Sequence, residues 1–194
     1  MSKRILLVNG PKSSGKDYAT NQIHEIFELV EKAKFAKPMY DGLQNLFGID
    51  PDEWEHIYNN HKEEPSDLLF GMTPRNAMIW MSEEVMKPKF GKDVCGIIAS
   101  NRVRSAFENG YELVVFSDSG FADEAKVIVR DYGAENVYLL QIHSEGCNFN
   151  GDSRSYVYPE DIGIPEENFE VVKNTKDVRF NPKLVAALKR LGIE

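Results

Sequence analysis

Ile5-Leu6-Leu7-Val8-Asn9-Gly10-Pro11-Lys12-Ser13-Ser14-Gly15-Lys16-Asp17 decides the fold. The apolar run 5–8 reads as a buried strand, the glycine-bearing stretch as a turn, and the residues after it as a helix. Gly10 and Gly15 let the backbone curl so that successive N–H groups face one anion. The helix adds its own unpaired N–H groups and positive dipole end to the same place. Lys16 is spaced to meet phosphate oxygens as a point charge. Phosphate loops of this form continue with Ser or Thr after the lysine, and here Asp17 follows instead. Ile23, Ile26, Phe27 and Val30 fall at helical spacing, which predicts a first helix over 16–32.

Composition bounds the classes. A chain of 194 residues, 42% of them hydrophobic, suits one domain over 1–194 with a lid or small insertion. A net charge of −8, with Lys and Arg scattered, argues against a non-specific nucleic-acid coat protein but not against a nucleotide site. Cys95 and Cys147 make no C-x-x-C pair and no disulfide framework, so a reducing, cytoplasmic location is expected. No signal-peptide pattern and no apolar run of membrane-spanning length occurs. His24, His56, His61 and His143 lack metal-ligand spacing, and there is no G-x-S-x-G.

Further along, 33–36 reads as a short strand and 39–47 as a helix closed by Gly48. Residues 50–72 read as short helices and loops, with apolar residues that could contribute to a homodimer. Thr73-Pro74-Arg75 opens a helix, with Thr as N-cap and Pro at its first position. Ala77, Met78, Met81 and Val85 form its expected apolar face, and another helix is expected over 91–109. Leu113-Val114-Val115-Phe116 predicts a central parallel strand ending at Ser117-Asp118, followed by a helix over 121–132. Strands over 137–142 and 169–172 and a helix from Asn181-Pro182 complete the alternation. The order implies an α/β fold with a parallel sheet between two helical layers. Ligands bind such sheets beyond the carboxyl ends of the strands, where the loop and Asp118 both fall.

Candidate chemistry follows from placement. A carboxylate ending a buried strand beside a phosphate loop suits a magnesium-organising acid, and Asp118 also fits an ordinary turn. Asp17 could contact a metal or its waters, or favour the helix N-terminus. Arg75, rigidly presented, suits bidentate phosphate recognition, although spacing alone favours a solvated surface arginine. Trp80 and Tyr40 could stack on a base or fill a core. Glu83 or Glu84 could reach a sugar or base from the Arg75 helix. Residues 145–160 have the composition of a lid, with Arg154 its candidate cation and Lys12 another.

Five stretches together resemble the bacteriophage deoxynucleoside monophosphate kinases, a branch of the P-loop kinases. They are the G-K-D loop; Phe35-Ala36-Lys37-Pro38; Thr73-Pro74-Arg75 with Glu84; Phe90-Gly91-Lys92-Asp93-Val94; and Ser117-Asp118 with Phe121 and Glu124. Val171-Val172-Lys173-Asn174 is similar to the closing strand of that family, whose end approaches the donor base. The resemblance implies a five-stranded parallel sheet, an acceptor-binding helical part near 38–110 and a lid near 144–160. It implies ATP with Mg2+ as donor and a deoxynucleoside monophosphate as acceptor, with no nucleic-acid or membrane partner. Pro11, Lys12, Ser13, Ser14, Gly15, Lys16, Asp17, Tyr18 and Asn174 are then the ATP residues. Lys37, Arg75, Trp80, Glu84 and Glu124 are the acceptor residues. Lys16, Asp17, Asp118 and Arg154 are the catalytic set, and Asp17 and Asp118 the metal acids. In two places the chain departs from the family: Gly120 stands where an arginine is expected, and Gln141-Ile142-His143 carries none after the next strand. Either Arg154, Lys12 or another cation substitutes, or the chain is a weak or non-catalytic nucleotide-binding relative. A P-loop kinase for another small acceptor is the remaining alternative.

Overall fold

The structure is a computed structural model that describes residues 3–193. The chain divides into two compact units: a sheet unit, running up to Phe35 and again from Gly96 onward, and a helical unit, Ala36–Cys95.

Among the described residues, the sheet unit holds five strands: β1 (Arg4–Asn9), β2 (Val30–Ala33), β3 (Leu113–Ser119), β4 (Val137–Ser144) and β5 (Phe169–Asn174). All pairings are parallel, in the order β2-β3-β1-β4-β5. The first strand of the chain is therefore the central one. Its residues alternate between two cores, as the two-residue repeat of a strand requires. Ile5 and Leu7 pack with Ala99, Val103, Phe116, Ile128 and Leu139. Leu6 and Val8 pack with Ala19, Ile23, Leu140, Leu184 and Leu188. Helices α6 (Val94–Glu108) and α7 (Ala122–Tyr132) thus cover one face, and α1 (Lys16–Ile26) and α9 (Phe180–Arg190) the other. This is the α/β fold of two helical layers about a parallel sheet that the alternation predicts.

In the helical unit, α2 (Lys37–Leu46) and α3 (Pro51–Asn60) precede α4 (Pro74–Trp80). Asp50 caps α3 by accepting from the N–H groups of Asp52 and Glu53, and Thr73 caps α4 by accepting from Asn76 N at 3.0 Å. The buried residues include Met39, Leu43, Trp54, Leu69, Ala77 and Met78.

Two boundaries differ from expectation. Helix α1 ends at Ile26, not 32, and β2 begins at Val30, not 33. Ile26 is 49% exposed, whereas Val30 is buried and pairs with Leu113, so a long-range ladder outweighs local helical spacing. Helix α4 continues, as its expected face to Val85 requires, but through a π turn, Met81–Met86, into α5 (Lys87–Phe90), which ends at Gly91. A π turn shifts the helical phase, and Val85, expected on the apolar face, is exposed. The helical unit ends at Cys95, and Ala99, Val103, Ala106 and Phe107 of α6 belong to the core beneath the sheet. The short helix α8 (Pro159–Ile162), absent from the sequence reading, returns the chain after the expected lid. Among the described residues, no helix is long and apolar enough to cross a membrane.

Candidate active site

The loop between β1 and α1 is built by close approaches that only glycine tolerates. A Cβ on Gly10 would lie 2.6 Å from the Ile142 carbonyl oxygen and 2.7 Å from Ser14 Oγ. Gly15 has φ 100°, in the left-handed region, and a Cβ there would run into Asn174 Nδ2. That amide donates to Ser14 O at 2.8 Å, while Asn174 Oδ1 accepts from Lys176 N at 2.7 Å. The end of β5 therefore clamps the loop. Ser14 N closes the turn on Pro11 O at 3.2 Å. Ser14 Oγ is buried and has no hydrogen-bond partner within the described structure.

Lys16 is 7% exposed and donates from Nζ to Pro11 O at 2.7 Å. Burial pushes its ammonium down to a pKa of about 8, Arg154 adds to that, and Asp17, Asp152 and Asp118 oppose it. Five charged groups from β3, the start of α1 and the segment after β4 thus share one electrostatic neighbourhood. Asp17 is exposed, with Lys34 Nζ 3.2 Å from Oδ1, and lies in the first turn of α1, where a negative charge favours the dipole. Asp118 is half-buried and accepts from Phe35 N at 2.9 Å, which ties the end of β3 to the chain leaving β2.

Arg154 donates to Asp152 through two nitrogens, Nε to Oδ1 at 2.9 Å and Nη2 to Oδ2 at 2.6 Å. The residues after it are held by two buried amides that the sequence reading did not single out. Asn9 Nδ2 donates to Ser119 O at 2.8 Å and Ser155 O at 3.0 Å, and Asn9 Oδ1 accepts from Val157 N at 3.2 Å. Gln141 Nε2 donates to Val157 O at 2.8 Å. His143 stacks on Tyr156 at 4.3 Å, and burial with the nearby Lys173 lowers its pKa. The only local cue in the sequence was a polar residue ending each apolar strand.

A pocket of about 460 Å³ adjoins the loop on the side of β5, lined by Tyr18, Asn174, Lys176, Asp177, Val178, Phe180 and Asn181. Tyr18 and Asn174 are two of the residues expected to bind ATP, and Lys176, Phe180 and Asn181 join them through the turn into α9. Lys12 and Ser13 are exposed on the loop, and Pro11 is buried. Glu124 is only 5% exposed, in the first turn of α7.

In the helical unit, Arg75 Nε donates to Glu63 Oε1 at 2.7 Å, and its N–H to Lys62 O at 3.1 Å. Lys37 pairs with Asp41. Trp80 is half-buried and Glu84 exposed. Glu83 accepts from Lys87 at 2.5 Å. Tyr40 packs against Trp54 at 5.2 Å and Tyr58 at 4.8 Å, so its ring is engaged in the aromatic cluster of this unit.

Among the described residues, no group of three or more His, Cys, Asp or Glu is placed to hold a metal on its own. Asp17 and Asp118, both acting on Lys16, are hard oxygen donors of the kind that magnesium takes in ones and twos beside phosphate oxygens and water.

No protein-family model matches the chain. It is similar to a protein of Acanthamoeba polyphaga mimivirus provisionally described as a deoxynucleotide monophosphate kinase: 28% identical over 145 residues, spanning 71% of this chain and 72% of that protein. Its structure is similar to the unliganded crystal structure of a sugar kinase from Janibacter sp. HTCC2649, with TM-score 0.52 and 13% identity, over 98% of this chain and 95% of that one. The sequence relative and the structural neighbour are both described as kinases, and the parallel five-stranded sheet between helical layers fits a P-loop kinase-like fold.

Proposed function

We propose that the protein is a deoxynucleoside monophosphate kinase, moving the γ-phosphoryl of ATP to a deoxynucleoside monophosphate. The observation that carries this reading is Lys16: a buried ammonium curled onto the loop that glycines shape, within the field of Arg154, Asp17 and Asp118. The similarity to the mimivirus protein favours the nucleotide acceptor over other small acceptors.

In this reading an acceptor phosphate oxygen attacks the γ-phosphorus of ATP in line. The chain mainly positions and offsets charge, so little proton chemistry is asked of it. Lys16 and the loop N–H groups hold the donor phosphates. Tyr18 and Asn174 border the pocket that would take the donor base. Magnesium, when bound, neutralises charge on the phosphates, with Asp17 and Asp118 holding it or its waters. Arg154 is the cation for the transferred group. Arg75 takes the acceptor phosphate, exchanging its Glu63 partner for the ligand, and Lys37, Trp80, Glu84 and Glu124 serve the rest of the acceptor.

A coupled assay of ADP release with each of the four common deoxynucleoside monophosphates tests the proposal. Turnover with at least one is expected; ATP binding without turnover on any would end it. Arg75→Ala should raise the acceptor KM by about tenfold or more, the worth of one charged hydrogen bond, with ATP affinity unchanged. An unchanged acceptor KM would instead favour a different acceptor.

A further inference from the structure

Gly120 follows β3 directly, yet its backbone φ lies outside the left-handed region that calls for glycine. Its need is for space. A Cβ at Gly120 would sit 2.8 Å from the Cβ, Cγ and Cδ atoms of Arg154. These are the stem of that side chain rather than its flexible end, so nothing nearby can yield cheaply.

The backbone that carries Arg154 is pinned at the same place. Ser155 N donates to Gly120 O at 3.3 Å, and the buried Asn9 and Gln141 hold Ser155 and Val157. Asp152 accepts from the N–H of Arg154 at 3.0 Å as well as from the guanidinium, which fixes where that plane points. The charge so placed is felt at Lys16, where it disfavours a second proton-borne positive charge. Two cations brought toward each other are unfavourable until an anion joins them.

We infer that Gly120 is a positioning residue: its missing side chain is the seat that holds Arg154 at the mouth of the phosphate loop, so that Arg154 and Lys16 close on one polyphosphate. The glycine and the arginine are one device, and Asp152, Asn9 and Gln141 keep it in register. The inference rests on the reading of 10–17 as an ATP-binding loop. It adds that the cation is set in place by the fold, before any closure of the segment that follows β4.

A double-mutant cycle tests it, with wild type, Gly120→Ala, Arg154→Ala and the double variant titrated calorimetrically with ATP and with ADP in the presence of Mg2+. Thermal melts of each serve as the folding control. Arg154→Ala should weaken ATP by about ten- to a hundredfold, and ADP by less than about threefold. Gly120→Ala should reproduce most of that loss of ATP-over-ADP preference. In the double variant it should add nothing, the value staying within about twofold of Arg154→Ala alone. If the two effects multiply, or if Arg154→Ala leaves the ATP-to-ADP ratio unchanged, the inference is overturned. Wild-type protein that binds neither nucleotide overturns the loop reading and this inference with it. Wild type that binds ATP but phosphorylates no acceptor leaves the cycle readable and overturns only the proposed reaction.

Discussion

Lys16 should make ATP binding a proton-uptake reaction above pH 8. Its pKa in the ligand-free protein is lowered from 10.5 to about 8, first by burial and then by Arg154. Polyphosphate beside the ammonium favours the charged form and restores the pKa toward its ordinary value. At pH 8.5 roughly three-quarters of the free protein would carry a neutral Lys16 and almost none of the complex would, giving uptake of about 0.7 proton per ATP. Affinity should be flat up to about pH 7.5 and then fall, to about thirtyfold weaker at pH 9.5, as the free form loses the proton that the bound form keeps. Calorimetry at pH 8.5 in two buffers of different ionisation enthalpy reads the uptake directly. Lys16→Arg, charged at every accessible pH, should bind ATP with no uptake in this window. Zero uptake in the wild type, or equal uptake in Lys16→Arg, would refute the reasoning. The same shift has a stability counterpart of opposite trend. The unfolded chain holds the lysine proton up to about pH 10.5 while the folded protein releases it near 8, so this residue's contribution to stability rises with pH between those values.

Asn9→Ala removes three hydrogen bonds from a fully buried position and should cost about 3 kcal/mol, lowering Tm by about 6–12 °C in a thermal melt. A change below about 0.5 kcal/mol would show that the amide does not anchor Ser155 and Val157. Asn174→Ala should weaken ATP by about tenfold through the loss of the Ser14 clamp, and Asn174→Asp more, because it sets a carboxylate beside the loop that receives phosphate; titration with ATP would show the order, and Asp binding as well as Ala would contradict it.

The loop was legible because its own marks are local, although Ile142 and Asn174, which close on it, come from far along the chain. An apolar strand, two glycines and a lysine lie within 5–16, and each acts on its immediate neighbours. The apolar run at 113–116 was equally plain, since a strand buried on both faces needs no partner to be recognised. Val30 shows the limit. Its helical spacing from Ile23 was real, but its place was decided by Leu113, far along the chain. The site divides the same way. Lys16 and Asp118 announce themselves by position, whereas Asn9 looks like one polar residue after an apolar run until Ser155 and Val157 are brought to it. Gly120 read as a missing arginine because sequence shows what a position lacks, and not what another residue's stem requires of it.

The order of the strands also dictates a timetable. β1, the first strand made, is the centre of the sheet, and both of its partners lie more than a hundred residues later: Arg4 pairs with Leu113 and Ile5 with Val137. The helical unit, by contrast, is one unbroken stretch, Ala36–Cys95. On a chain synthesised from its N-terminus, the helical unit has all of its own residues before the sheet has a single ladder, because Val30 too must wait for Leu113. Closing so long a loop adds little to the equilibrium cost but much to the waiting time. The loop between β1 and α1, early in the sequence, is therefore among the last parts of the molecule to be fixed, since the amide that clamps Ser14 O comes only with Asn174.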